Sequence, residues 1–268
     1  MPVRYRATVE YDGTDFAGFQ VQPGKRTVQG ELEAALARLG NGTGQRIDAA
    51  GRTDAGVHAT GQVIMFTYAG RLTPAGLDRA LGALLPADVA IGGVRRVPDG
   101  FHPRHAAAYR EYRYTIWNGP PSPLRERTAF GVDEPLDIAA MARSGSVLEG
   151  RHDFRAFGTG ARSTVRTVHS VRVRRRGRTV TIDVRADAFL RGMVRRIVAG
   201  LLEVGLGRMD EDGIRTALAG REPAFDGAAA PARGLCLRRV AYRPRKPAKT
   251  KSNDENEPND ENDEGHDE

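Results

Sequence analysis

A single cysteine in 268 residues, Cys236, excludes an intramolecular disulfide and any cysteine-rich zinc site. Its place between Leu235 and Leu237 marks it as a small buried spacer. The six histidines, His58, His102, His105, His152, His169 and His266, form no i, i+4 pair on a predicted helix, so zinc chemistry has little support. No window approaches the roughly 20 consecutive apolar residues of a membrane span. The N-terminal Met-Pro-Val-Arg-Tyr-Arg lacks an apolar core, and a cytoplasmic protein is expected. Apolar residues are also nearly missing beyond Pro244, where Pro, Lys, Asn, Asp and Glu dominate. Such a stretch cannot bury enough surface to offset its ordering entropy, so residues 245–268 are expected to be a disordered acidic tail.

That tail hides how basic the rest is. Lys251 to Glu268 holds nine acidic residues and one lysine, which leaves 40 Lys+Arg against 25 Asp+Glu elsewhere, a body of +15. The excess points to a polyanionic partner, with nucleic acid ahead of a membrane because no basic amphipathic helix stands alone.

Along the chain, Arg4 to Tyr11 alternates strictly, placing Tyr5, Ala7, Val9 and Tyr11 on one face of a strand. Val28, Leu32, Ala35, Leu36 and Leu39 recur at helical spacing, with Thr27 as N-cap and Gly40 past the end. A short strand around 46–50, a strand over 62–68, a helix over 74–85 and a strand over 91–97 complete a β-α-β-β-α-β order. The second half repeats it: a strand over 109–117, a helix over 135–148 and a hairpin of 165–175 with 179–186. A strongly amphipathic helix from Phe189 to Leu202, a short helix over 210–218 and a strand over 235–242 follow. The expected fold is α+β, with two ferredoxin-like halves, residues 1–100 and 101–244. Their mixed sheets would join into one extended sheet, with helices on one face and a basic cleft on the other.

The chemistry centres on Ala49-Ala-Gly-Arg-Thr-Asp-Ala-Gly-Val-His-Ala-Thr-Gly-Gln62, a polar loop feeding the apolar run Val63-Ile-Met-Phe66. By residue type alone, Thr53-Asp54-Ala55-Gly56 reads as a turn, with Asp54 bonding its own backbone and Gly56 supplying positive φ. A phosphate loop is excluded because Gly51 to Gly56 is not closed by Lys-Ser/Thr. The ungapped string Ala-Gly-Arg-Thr-Asp-Ala-Gly-Val-His resembles the catalytic loop of the TruA family of tRNA pseudouridine synthases, where the aspartate is the essential catalytic residue. Three further segments, and a Tyr11-Asp-Gly loop in which Phe19 stands where tryptophan is common, resemble the same family. Phe101-His-Pro-Arg-His-Ala-Ala-Ala-Tyr-Arg-Glu-Tyr-Arg-Tyr114 is similar to its second motif, whose tyrosine, here Tyr112, stacks on the target uracil. Asp187-Ala-Phe-Leu-Arg-Gly-Met-Val-Arg-Arg196 resembles the helix whose arginine, here Arg195, pairs with the aspartate. His152-Asp-Phe-Arg-Ala-Phe-Gly158 with Arg162-Ser-Thr-Val-Arg-Thr167 resembles, less faithfully, a segment that approaches the RNA. The resemblance runs from the chain start to about Tyr242.

It implies an isomerase that turns uridine into pseudouridine at positions 38, 39 and 40 of the anticodon stem-loop of tRNA, acting as a homodimer that grips one tRNA. The reaction exchanges one bond to C1′ for another without redox change, so no cofactor and no metal are expected. Asp54 must be ionised and dry, with Arg195 holding it so. Tyr112 supplies a stacking face and a candidate base for the C5 proton, while Arg52 fills the space vacated by the flipped base. Arg52, Phe101, His102, Arg104 and Arg110 are the expected RNA-binding residues. A non-catalytic tRNA-binding or folding module would need the same basic body but not Asp54.

Overall fold

The structure, a computed structural model, describes residues 3–40, 46–160, 162–220 and 228–243. The expected disordered tail, 245–268, lies outside the described residues. In chain order the first half contains β1 (Val3–Tyr11), α1 (Val28–Leu39), β2 (Asp48–Ala49), β3 (His58–Tyr68), α2 (Pro74–Leu84) and β4 (Val89–Arg96). The second contains β5 (Ala107–Asn118), β6 (Phe130–Val132), α3 (Ile138–Val147), β7 (Gly150–Asp153), β8 (Val165–Arg176), β9 (Thr179–Ala186), α4 (Met193–Gly205), α5 (Glu211–Leu218) and β10 (Leu235–Tyr242). Four helices start on polar side-chain caps, of which Thr27 was expected from the sequence. The Thr27, Thr73, Asp137 and Asp210 side chains accept from the backbone N–H three residues on, at 3.2, 3.1, 2.9 and 3.0 Å, each contributing about 1 kcal/mol.

Among the described residues the ten strands form one mixed sheet, in the order β4-β1-β3-β10-β5-β9-β8-β7, with β2 on β3 and β6 on β5. β10, from the end of the chain, joins the halves. It pairs antiparallel with β5 from Leu235 to Tyr242, and parallel with β3 at Cys236 with His58 and Leu237 with Ala59. It reaches β3 because β2 is two residues long and occupies the same edge further along, at Met65 and Ile64. The seam is tight: a Cβ on Gly61 would lie 2.2 Å from the Arg238 carbonyl oxygen.

Pairing across the sheet puts Tyr11, Ala59, Leu237, Tyr112, Val184 and Val171 in one row, hence on one face. All are buried, in a core shared with Leu32 and Leu36 of α1, Leu77 and Leu81 of α2, and Ile197, Val198 and Leu201 of α4. The other face of β5, β9 and β8 carries charge pairs instead. Arg113 bonds Asp183 at 2.7 and 3.0 Å, and Arg185 bonds Glu111 at 2.8 Å.

Two element starts and two short strands differ from expectation for tertiary reasons. β3 begins at His58 rather than 62 because β1 and β10 both pair with its polar start. α4 begins at Met193 rather than Phe189, since Arg191 forms a β-bridge with Thr159 and Gly192 at φ +72° makes the corner into the helix. β6 and β7, too short to show a period, were not anticipated. They exist by pairing with β5 and β8.

Candidate active site

The loop between β2 and β3, residues 50–57, is pinned almost atom by atom. Ala50 N–H donates to Val63 O at 2.8 Å, Gln62 Nε2 to Gly51 O at 2.9 Å, and Phe19 N–H to Thr53 O at 3.1 Å. The Thr53 hydroxyl shares a buried hydrogen bond of 2.8 Å with the Tyr11 phenol. Gly56, at φ +75°, closes the turn in which Val57 N–H donates to Asp54 O at 3.2 Å. His58 secures the exit: Nδ1 accepts from Gly13 N–H at 3.0 Å, and Nε2 lies 3.1 Å from Arg233 O. The turn reading of Thr-Asp-Ala-Gly is therefore correct for the backbone. It leaves the Arg52 and Asp54 side chains projecting, Arg52 exposed and Asp54 half-buried.

They project into a cavity of about 750 Å³, in which Asp54 is the one carboxylate among the described lining residues. Tyr112 forms part of its floor, and Phe189 meets that ring edge-on at 5.1 Å and 88°. Tyr112 shares the sheet face that the helices cover, and α4 itself lines the cavity. The expected cleft on the bare face is thus not the place of this cavity. The cavity opens on the helix-bearing face, between the loops at 17–22 and 50–57 and the start of α4. The loop is carried there because Tyr11, beneath Thr53, points to that side of β1.

Arg195, in the first turn of α4, approaches Asp54 with Nη1 to Oδ2 at 4.0 Å. Its Nε donates to Ala230 O at 2.6 Å, and Ala230 N–H donates to Arg195 O at 3.1 Å. The structure brings the two charges together, but as an open pair: the Asp54 side chain is 39% and that of Arg195 22% exposed. The structure therefore places Asp54 in a half-open position rather than the dry one expected from sequence. Burial pushes the Tyr112 phenol well above its ordinary pKa.

The expected RNA-binding residues divide. Arg52 and Arg104 line the cavity and also a smaller one of about 160 Å³, which His102 and His105 border with rings 4.4 Å apart. Phe101 packs elsewhere, its ring 5.4 Å from Tyr242 with the Arg6 guanidinium over both. Arg110 is 8% exposed and its guanidinium is committed to Asp187 O at 2.7 Å, Ala50 O at 2.9 Å and Arg104 O at 2.6 Å. Desolvation lowers its pKa from the usual arginine value, though it remains charged at neutral pH. Arg110 therefore ties the Asp54 loop to the β9–α4 connection instead of facing solvent. Sequence reading missed Tyr11, Gln62 and His58 as supports, because alternation marks buried strand positions without marking a polar job there. Arg166, in the segment expected to approach the RNA, lines the cavity, and so does Arg191, which was not among the expected RNA-binding residues. Among the described residues no group of three or more His, Cys, Asp or Glu is placed to hold a metal ion.

A family model described as tRNA pseudouridine synthase matches residues 7–105 and 146–243. The tRNA pseudouridine synthase A of Moorella thermoacetica is 45% identical over 245 residues, covering 88% of this chain and 98% of its own. That of Roseiflexus castenholzii is 46% identical over 241 residues, covering 87% and 88%. Among solved structures, an H/ACA ribonucleoprotein bound to a substrate RNA containing 2′-deoxyuridine aligns over 84% of this chain and 69% of that one. At 13% identity and a TM-score of 0.31 the likeness carries no argument.

Proposed function

The chain belongs to the tRNA pseudouridine synthase family, and from that premise we infer that it isomerises uridine to pseudouridine in tRNA with Asp54 as the catalytic group. The observation that carries the assignment is the Asp54 carboxylate itself. It stands on a backbone fixed at every flank, is the sole acid among the described residues of an arginine-rich cavity, and faces Arg195 at 4.0 Å.

The target base leaves its stack and enters the cavity, where Tyr112 and Phe189 offer apolar ring surface and Arg52 takes its former place in the stem. Entry of the nucleotide removes water from around Asp54, so the open pair with Arg195 strengthens once the substrate is bound. Asp54 acts on the ribose or on C6, the C1′–N1 bond breaks, the uracil turns, and C1′ joins C5. The C5 proton then leaves and N1 gains one, which balances the reaction without a cofactor. We assign removal of the C5 proton to the Asp54 carboxylate, the one carboxylate among the described lining residues, and to the Tyr112 phenol a donor role toward a uracil carbonyl.

The finer points belong to the same proposal. The substrate region is the anticodon stem-loop, at positions 38, 39 and 40, and the working species is a cytoplasmic homodimer. The chain divides into a half carrying the Asp54 loop (1–100), a half completing the site (101–244) and the acidic tail. The strand orders β4-β1-β3-β2 and β10-β5-β9-β8 support reading each half as ferredoxin-like. Tritium release from tRNA labelled at C5 of uridine tests the function. Wild type is expected to release it from uridines 38–40, and Asp54→Asn to retain fold and tRNA affinity with no turnover. Near-wild-type turnover by Asp54→Asn would remove Asp54 from its role.

A further inference from the structure

Six arginines line the cavity, Arg52, Arg104, Arg110, Arg166, Arg191 and Arg195, against one carboxylate. Three are already engaged within the chain. Arg110 donates to three carbonyls, Arg195 to Ala230 O beside Asp54, and Arg166 through Nη1 to the carbonyls of Ser163 and Val165 at 3.0 and 2.6 Å. Arg52, Arg104 and Arg191 are not: among the described residues their side chains have no carboxylate within ion-pair distance and no hydrogen bond. Arg52 and Arg104 stand on the side shared with the smaller cavity, whereas Arg191 arises from the β9–α4 connection and does not touch it.

The backbone under Arg191 is built to hold it. Arg191 N–H donates to Thr159 O at 3.2 Å and Thr159 N–H to Arg191 O at 3.3 Å. Leu190 and Met193 on either side are buried, while Arg191 is exposed. The contact requires glycine opposite, since a Cβ on Gly158 would lie 2.5 Å from the Leu190 Cβ. The side chain then runs along Gly160, whose own Cβ position is 4.0 Å from the Arg191 Nε. A cation on a rigid support, with no internal partner and facing a substrate cavity, is placed for an anion. The base of the target nucleotide is neutral, and the anionic group of an RNA strand is its phosphodiester.

Resting on the activity inferred above, we propose that Arg191 is a substrate-binding residue whose guanidinium takes a phosphodiester of the strand bearing the target uridine, from the wall away from Arg52 and Arg104. Arginine suits this position because its planar fork engages two phosphate oxygens at once.

The test compares Arg191→Gln, Arg191→Lys and Arg176→Gln. Arg176 is an exposed arginine near the β8–β9 turn and outside the cavity lining, so it controls for loss of one charge. Binding of full-length tRNA is measured across a salt series, and tritium release in single turnover at saturating enzyme. Arg191→Gln should bind about tenfold more weakly near 0.1 M salt, with the slope of log K against log salt reduced by roughly 0.9, one phosphate contact. Its saturated rate should stay within about twofold of wild type, Arg191→Lys should recover most of the slope, and Arg176→Gln should match wild type. An unchanged slope in Arg191→Gln overturns the proposal, as does an equal loss in Arg176→Gln, which would indicate a diffuse field. A fall in saturated rate with affinity intact also overturns it. If wild type releases no tritium, the isomerase reading fails, while the salt series still decides whether Arg191 meets a phosphate.

Discussion

Replacing Arg110 with methionine separates a residue that holds the site from one that holds RNA. Its guanidinium is buried and donates to three carbonyls contributed by the catalytic loop, the β9–α4 connection and the segment before β5. Hydrogen bonds from a charged donor are worth about 1.5 to 3 kcal/mol each, so the gross loss is roughly 6 kcal/mol. Two corrections reduce it. Burying the cation costs free energy, as its lowered pKa indicates, and methionine escapes that cost. Ala50 and Arg104 also line the cavity, where water can replace the lost donor for their carbonyls. A net destabilisation of about 3 kcal/mol remains, which in urea, with a slope near 2 kcal/mol per molar, lowers the unfolding midpoint by about 1.5 M. The saturated single-turnover rate should fall at least tenfold, because Ala50 and with it the Asp54 loop lose their tie. The salt dependence of tRNA binding should not change, since no phosphate contact is removed. An unfolding midpoint like that of wild type, together with a salt slope reduced by about one, would refute this reasoning and return Arg110 to the RNA.

The open geometry around Asp54 limits what Arg195→Met can cost in stability: about 2 kcal/mol, mostly the bond to Ala230 O. A double-mutant cycle with Asp54→Asn in the free protein should give a coupling under about 1 kcal/mol, and a value above 2 kcal/mol would mean that the pair closes without substrate. At alkaline pH, burial keeps the phenols of Tyr11, Tyr112, Tyr114 and Tyr242 neutral above the roughly pH 10 at which they ionise in the unfolded chain. The folded state then binds more protons than the unfolded, so stability is full below about pH 10 and declines above it. Absorbance at 295 nm should report these four only as the circular dichroism signal is lost, and titration in a still-folded chain would contradict the burial. Gly61→Ala should destabilise by about 3 kcal/mol or more, because its Cβ has a backbone carbonyl at 2.2 Å and neither strand can yield without opening the β3–β10 seam. A midpoint shift below about 0.5 M urea would show that the seam is looser than drawn.

What the sequence settled alone is whatever depends on neighbours along the chain. The helical spacing and Thr27 define α1 from Val28 to Leu39, and alternation defines β1 and β9 to within a residue. The unbroken Gly-Arg-Thr-Asp-Ala-Gly string marked Asp54 through its resemblance to a known catalytic loop, since by residue type alone it reads as a turn. Residues distant in sequence decided the rest. Burial of Leu237 between Ala59 and Tyr112 sets where β3 begins and on which face the cavity opens. The bridge from Thr159 to Arg191 delays α4 by four residues. By residue type alone the six arginines that line this site are equivalent. The carbonyls of Ala50, Asp187 and Ala230, each arriving from another element, together with those of Ser163 and Val165 beside Arg166, determine which of them are structural ties and which remain free to meet an anion, because a guanidinium held by carbonyl acceptors is less available to a phosphate.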